Sequence, residues 1–270
     1  MRDNLEILLS HTGDVALRRR ARWLIENLSL KNKDKVLDLG CGDGYYLFLL
    51  SNLGINVNLI GLDNYKPALA SAKKNLKSKK IRLIFSNASR LPFKTNYFDK
   101  VVASEVLEHV SNDLKVVSEV RRVLKPGGIF VLSVPHANYP FFWDPINWML
   151  ERIFKTHIKR GFFAGIWNQH IRLYSKKELE KVLKDSGFRE IEANSLTHYC
   201  LPFNHYLINI VARLLARKKV LTRNKSPLSK FNKNKNETTF IFKLIFAIDR
   251  LNDNWKDQGS AVSLAAKAIK

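Results

Sequence analysis

Residues 35–50, "KVLDLGCGDGYYLFLL", constrain the fold more than any other stretch of this chain. A continuous apolar run ends at Gly40, glycines recur at 42 and 44, and a second apolar run follows. Unbroken apolar character in a short run predicts a buried strand, and the longer run after it predicts a helix. Glycine tolerates the turn between them and lets the backbone come close to a ligand, while the helix start offers free N–H groups. No Lys-Ser/Thr pair follows the glycines, which excludes a P-loop, and the G-x-G-x-G spacing departs from the dinucleotide fingerprint. Asp38 stands two residues before the first glycine. Its charge would repel a phosphate and attract an amino or sulfonium group, although it can also serve as a simple turn cap. Asp63, closing the next apolar run in "LIGLDN", tips the balance toward a ligand, because a carboxylate there can accept from both ribose hydroxyls.

The same rhythm continues. "NVNLIGLD", "IRLIFSNA", "FDKVVASE" and "IFVLSVP" read as strands. Between them lie the helical runs "YYLFLLSNLG", "KPALASAKKNLKSKK" and "NDLKVVSEVRRVLKPGG", and residues 14–30 form a leading amphipathic helix with Asp14 as its cap. Alternation of this kind predicts an α/β fold, a parallel sheet with helices on both faces. After Pro135 the rhythm breaks. Residues 136–169 are rich in aromatic side chains, an aromatic lid or the core of an inserted lobe. "SKKELEKVLKDSGF" then reads as a helix, "REIEANSLTHYC" as a strand and "SAVSLAAKAIK" as a final strand. The expected organisation is one domain over 1–270. Its core sheet occupies 30–135 and 170–200 with a last strand in 260–270, and insertions fill 136–169 and 201–258.

Charge bears on partners. Forty-six Lys and Arg against 24 Asp and Glu give +22, and no acid interrupts Lys66–Lys94 or Ala193–Asn236. A polyanion nearby is implied: an anionic membrane surface, a phosphorylated substrate or nucleic acid. "YLINIVARLLARKK" is a basic amphipathic helix and "TTFIFKLIFAIDRL" a short apolar one; each suits packing over the sheet, a dimer contact or an anionic membrane. The two cysteines, Cys41 and Cys200, suggest no disulfide framework. The charged N-terminus lacks a signal-peptide core and no run reaches the ~18 apolar residues of a span. A cytoplasmic location is expected, with membrane association a candidate.

The chain resembles the class I S-adenosylmethionine-dependent methyltransferases of the type 11 group. "VLDLGCGDG", "LIGLDNYKPAL", "NASRLPF", "FDKVVASEVLEHV" and "VRRVLKPGGIFVLSVP" match that family's motifs in order over about residues 30–135. The resemblance implies a Rossmann-like seven-stranded sheet, mostly parallel with the last strand antiparallel, carrying aromatic and basic helical insertions. It implies S-adenosylmethionine as methyl donor. Asp38 would hold the methionine amino group, Gly40, Gly42 and Gly44 would wrap the methionine part, and Asp63 would bind the ribose. Asn64 would flank the adenine, Asn87 and Ala88 would meet its edge, and Ser104 and Glu105 would lie beside the methionine arm. The family usually has Asp where Asn87 stands; Asn keeps an acceptor oxygen and adds a donor.

A methyl on a sulfonium is already activated, so positioning and desolvation supply much of the rate, and a base is needed only for a protonated acceptor. His136, after the fifth strand, is the best-placed candidate base; His170 and His109 follow, each equally readable as a structural histidine. No metal is expected. The acceptor reads as a small or lipid-like molecule, methylated at oxygen. An RNA methyltransferase is the alternative favoured by charge, but "ASEVLEH" stands where exocyclic-amine methyltransferases of nucleic acids carry Asn/Asp-Pro-Pro-Tyr. A catalytically silent module docking on membrane or RNA is a further alternative, which the intact glycine loop and both acids oppose.

Overall fold

A computed structural model describes residues 1–77, 80–199, 229–232, 246–247, 249–254 and 259–270. The two helices expected around "YLINIVARLLARKK" and "TTFIFKLIFAIDRL" lie almost wholly outside the described residues.

The apolar runs pair into a seven-stranded sheet: β1 (Lys35–Leu39), β2 (Asn58–Asp63), β3 (Arg82–Phe85), β4 (Phe98–Ser104), β5 (Leu124–Pro135), β6 (Arg189–Leu196) and β7 (Ser263–Ile269). Their order is β3-β2-β1-β4-β5-β7-β6. β1 to β5 pair in parallel, and β7 inserts antiparallel between β5 and β6. The strand order reverses between β1 and β4. A cleft therefore opens at the carboxyl ends of these strands, where open α/β sheets hold ligands.

Helices α1 (Arg2–Leu9), α2 (Val15–Asn27), α3 (Tyr45–Ser51), α4 (Lys66–Leu76), α5 (Asp113–Val123), α6 (Pro145–Phe154) and α7 (Lys176–Asp185) surround the sheet. Their starts follow from capping side chains. Asp14 accepts from the Leu17 N–H, Asn112 from Lys115 and Asp144 from Asn147, while Ser175 and Glu178 form a reciprocal capping box. Each such cap contributes about 1 kcal/mol. One face of the sheet buries Val116, Val120, Leu179 and Leu183 of α5 and α7; the other buries Leu5, Leu9, Leu24, Ile25, Leu47 and Leu50 of α1, α2 and α3. Two boundaries differ from expectation. α1 precedes the leading helix, and α5 stops at Val123 instead of running to the glycines, because Pro126 cannot continue a helix and Leu124 already pairs with Phe98.

The aromatic insertion divides in two. Tyr139 and Trp143 turn inward and form a small third core with Ile166, Val262 and Ala16. Phe142, Met149, Ile153 and Phe154 are exposed on and before α6. None of the described aromatic side chains of this segment lines the cleft.

Candidate active site

The cleft has a volume of about 390 Å³. Gly40, Gly42, Asp63, Asn64, Asn87 and Ala88 line one part of it, and Glu105, Val106, His109, Val110 and Gln169 another. The glycines are required for different reasons. Gly40 and Gly42 both have positive φ (70° and 52°). A Cβ on Gly40 would meet Val106 Cγ2 at 2.5 Å, so the loop can approach the segment after β4 only without a side chain. A Cβ on Gly42 would meet nothing within 4 Å, so this backbone faces open space.

Asp63 ties the loop to β2. Its Oδ2 accepts from the Gly42 N–H at 2.8 Å and its Oδ1 from the Tyr65 N–H at 2.8 Å. A carboxylate accepts about four bonds, so two acceptor positions remain. Asp38 lies beneath the loop, fully buried, and its Oδ2 has no hydrogen-bond partner among the described residues. Burial first, then the charges of Asp63 and Asp43, push its carboxyl up to about 8. In the unfolded chain the group ionises near 3.8. Between those values the unfolded state binds fewer protons, so the unliganded protein loses stability as pH rises from about 4 to about 8 and levels off above. Glu108, also held high, acts in the same direction. Urea unfolding should show a lower midpoint near pH 8 than near pH 5, and Asp38→Asn should flatten that fall; an unchanged slope contradicts it.

The other expected residues sort as follows. Asn87 is on the wall, with its Oδ1 accepting from the Ser89 N–H at 2.9 Å. The Ser104 hydroxyl is set back from the cleft, engaged with Tyr46 and Ser133 at 3.0 Å each. Glu105 lines the cleft in the left-handed region, φ 56°, held by Ser133 Oγ at 3.1 Å and by Arg20 of α2 at 3.3 Å. Burial pushes the Cys41 thiol up, which leaves it a packing residue against Gly61. Of the three histidines, His109 lines the cleft and His170 stands beside it, ring centroids 4.8 Å apart. His136 does not line the cleft. The chain beyond β5 bridges to Tyr174 there, and His136 Nδ1 accepts from the Asn138 N–H at 2.7 Å. Sequence reasoning missed Arg20 and the buried Glu108; for the latter the only signal was its place in the "EH" pair.

Residues 37–132 match the family described as a methyltransferase domain. The chain carries a methyltransferase domain. The match is to the type 11 group, and S-adenosylmethionine is the methyl donor it implies. The domain is 30% identical over 177 residues to an uncharacterised protein of Methanocaldococcus jannaschii, covering 60% of this chain and 64%, just under two thirds, of that protein. It is 28% identical over 198 residues to a demethylmenaquinone methyltransferase of Oceanobacillus iheyensis, 68% of this chain and 82% of the relative. In fold it is similar to an S-adenosylmethionine-dependent methyltransferase of Thermotoga maritima, with a TM-score of 0.57 at 13% identity, covering 96% of this chain and 91% of that one. The methyltransferase domain fits its donor on two observations: the orphaned Asp38 carboxyl oxygen under the loop, suited to a cationic amino group, and the open space over Gly42.

Proposed function

We propose that this protein transfers a methyl group to a hydroxyl of a small or lipid-like acceptor. The donor supplies a methyl already activated on a sulfonium. Asp38 would hold the methionine amino group, with Gly40, Gly42 and Gly44 giving the backbone its close approach. Asp63 would accept from the ribose hydroxyls, Asn64 would flank the adenine, and Asn87 and Ala88 would meet its edge. Glu105 would face the methionine arm, and Ser104 would steady it from behind through Ser133.

The observation that carries the oxygen acceptor is His109 on the cleft wall, with His170 and Glu108 behind it. A hydroxyl must lose its proton during transfer, and this cluster is where it would do so. Two features support a lipid-like acceptor. The relative from Oceanobacillus iheyensis is named for demethylmenaquinone. Phe142, Met149, Ile153 and Phe154 are also exposed apolar side chains on and before α6, followed along the chain by exposed Lys155, Lys159 and Arg160, a composition suited to an anionic lipid surface. Among the described residues no helix is long and apolar enough to cross a membrane, so contact would be with the surface.

Purified protein incubated with donor and a heat-treated cell extract should form S-adenosylhomocysteine, with the labelled methyl in the organic phase as an O-methyl product. Label confined to RNA or protein would overturn the acceptor reading. Ile153→Glu with Phe154→Glu should at least halve sedimentation with anionic vesicles; unchanged sedimentation would remove the membrane surface from the account.

A further inference from the structure

The cluster at the acceptor end of the cleft has a composition that proton transfer alone does not require. A short 3-10 turn, Leu107–His109, follows β4. The Ile171 N–H donates to the Glu108 carbonyl at 2.9 Å, which seats the segment carrying His170 against that turn. Arg172 reinforces the seat through Asp113 at 2.7 Å and the Ser111 carbonyl at 2.8 Å. Two imidazoles and one carboxylate are thereby brought together from separate parts of the chain. Glu108 Oε1 lies 3.8 Å from His109 Nε2 and 3.9 Å from His170 Nε2. One ligand atom from each of the three residues falls within 4.8 Å of the others.

Glu108 is the unusual member. Its side chain is fully buried, and neither carboxyl oxygen has a hydrogen-bond partner among the described residues. Arg20, whose positive charge also acts on this carboxyl, makes its ion pair with Glu105 instead. A buried carboxylate without donors costs several kcal/mol unless a proton or a cation joins it. His109 is also preset for ligation. Its Nδ1 lies 3.0 Å from the Gln169 carbonyl oxygen, where an Nδ1–H would donate. That tautomer leaves the Nε2 lone pair facing Glu108, the arrangement by which a backbone carbonyl orients a metal-ligating histidine.

We propose that Glu108, His109 and His170 form a binding site for a divalent transition-metal cation. Two imidazoles and a carboxylate suit zinc and its first-row neighbours better than calcium or magnesium, which take oxygen ligands. Tetrahedral coordination with bonds of about 2.1 Å needs donor atoms about 3.4 Å apart. The Glu–His separations of 3.8 and 3.9 Å close to that by a few tenths of an ångström. Because His109 is also a wall of the cleft, a remaining coordination position would face the acceptor. This deepens, and rests on, the reading of that end as the acceptor side. The cation would orient an oxygen-bearing acceptor and lower the pKa of its hydroxyl, a task otherwise left to an imidazole base. The hydroxyl proton goes to solvent and the methyl takes its place on oxygen, so no further reactant is needed.

The test uses the full chain stripped with a chelator and titrated with Zn²⁺ alone by calorimetry, with Co²⁺ absorption as a second readout. One equivalent should bind with micromolar or tighter affinity. His170→Ala and Glu108→Gln should each weaken it at least tenfold. Glu108→Gln preserves the buried shape and guards against a folding artefact, which circular dichroism checks. No Zn²⁺ or Co²⁺ binding in folded protein, or binding indifferent to both variants, overturns the site and leaves a proton shared between Glu108 and the histidines. Donor binding by the stripped protein is measured separately; its failure would overturn the donor cleft and not the metal site.

Discussion

Asp63→Ala should weaken S-adenosylmethionine binding by at least about 100-fold. Two hydrogen bonds from ribose hydroxyls to a charged acceptor contribute about 1.5–3 kcal/mol each, and every 1.4 kcal/mol is tenfold. The same carboxylate holds the Gly42 and Tyr65 N–H groups, so the variant would lose the proposed ribose contacts together with the strut that shapes the loop. Asp63→Asn keeps one acceptor oxygen and should lose less. Equilibrium dialysis with labelled donor reads both. An Asp63→Ala protein that binds like wild type would mean that the ribose lies elsewhere.

Arg20→Ala should cost about 2–3 kcal/mol of stability and reduce turnover as well. Removing one partner of a fully buried ion pair costs about 3–5 kcal/mol. The lower figure applies here because the Glu105 side chain keeps 23% exposure. Arg20 also donates to Ser263 Oγ at 3.1 Å, so it ties α2 and β7 to the cleft wall. Without it, Glu105 would keep only the Ser133 hydroxyl and no cation, in a left-handed conformation close to the buried Glu108. Chemical unfolding checks the first effect. A variant as stable as wild type would show that Arg20 merely fills space.

Where the sequence spoke clearly, local chemistry was sufficient. β1, β4 and β5 each carry an apolar stretch, Val36–Leu37, Val101–Ala103 and Ile129–Leu132, because both faces of a parallel sheet are covered. Asp14 announced a helix start because a cap is a contact over three residues, and Asn112 and Ser175 cap two of the other expected helices in the same way. The proposed donor end was legible as a group for the same reason: the glycines and Asp38 are adjacent in sequence, and Asp63 closes the neighbouring strand. The acceptor end was not. His109 and His170 meet only because the segment after α6 folds back on the turn after β4, and no periodicity records that. Glu108 carries no signal of its own in "EVLEHV"; only its burial, which leaves the carboxylate oxygens without hydrogen-bond partners among the described residues, singles it out. His136 was placed by strand topology, which located the correct end of β5 but not the direction the chain takes afterwards. Arg20 stood in a run of three arginines on an amphipathic helix. Arg19 reaches Asp249 and Asp253, and Arg20 alone of the run reaches the cleft wall.

The donor cleft is the centre of this account, and calorimetric titration of S-adenosylmethionine into the purified chain tests it most directly. The account predicts one saturable site per chain in the wild type and its loss in Asp63→Ala at unchanged fold. A folded wild-type protein that binds no donor, or one whose binding ignores Asp63, would contradict it.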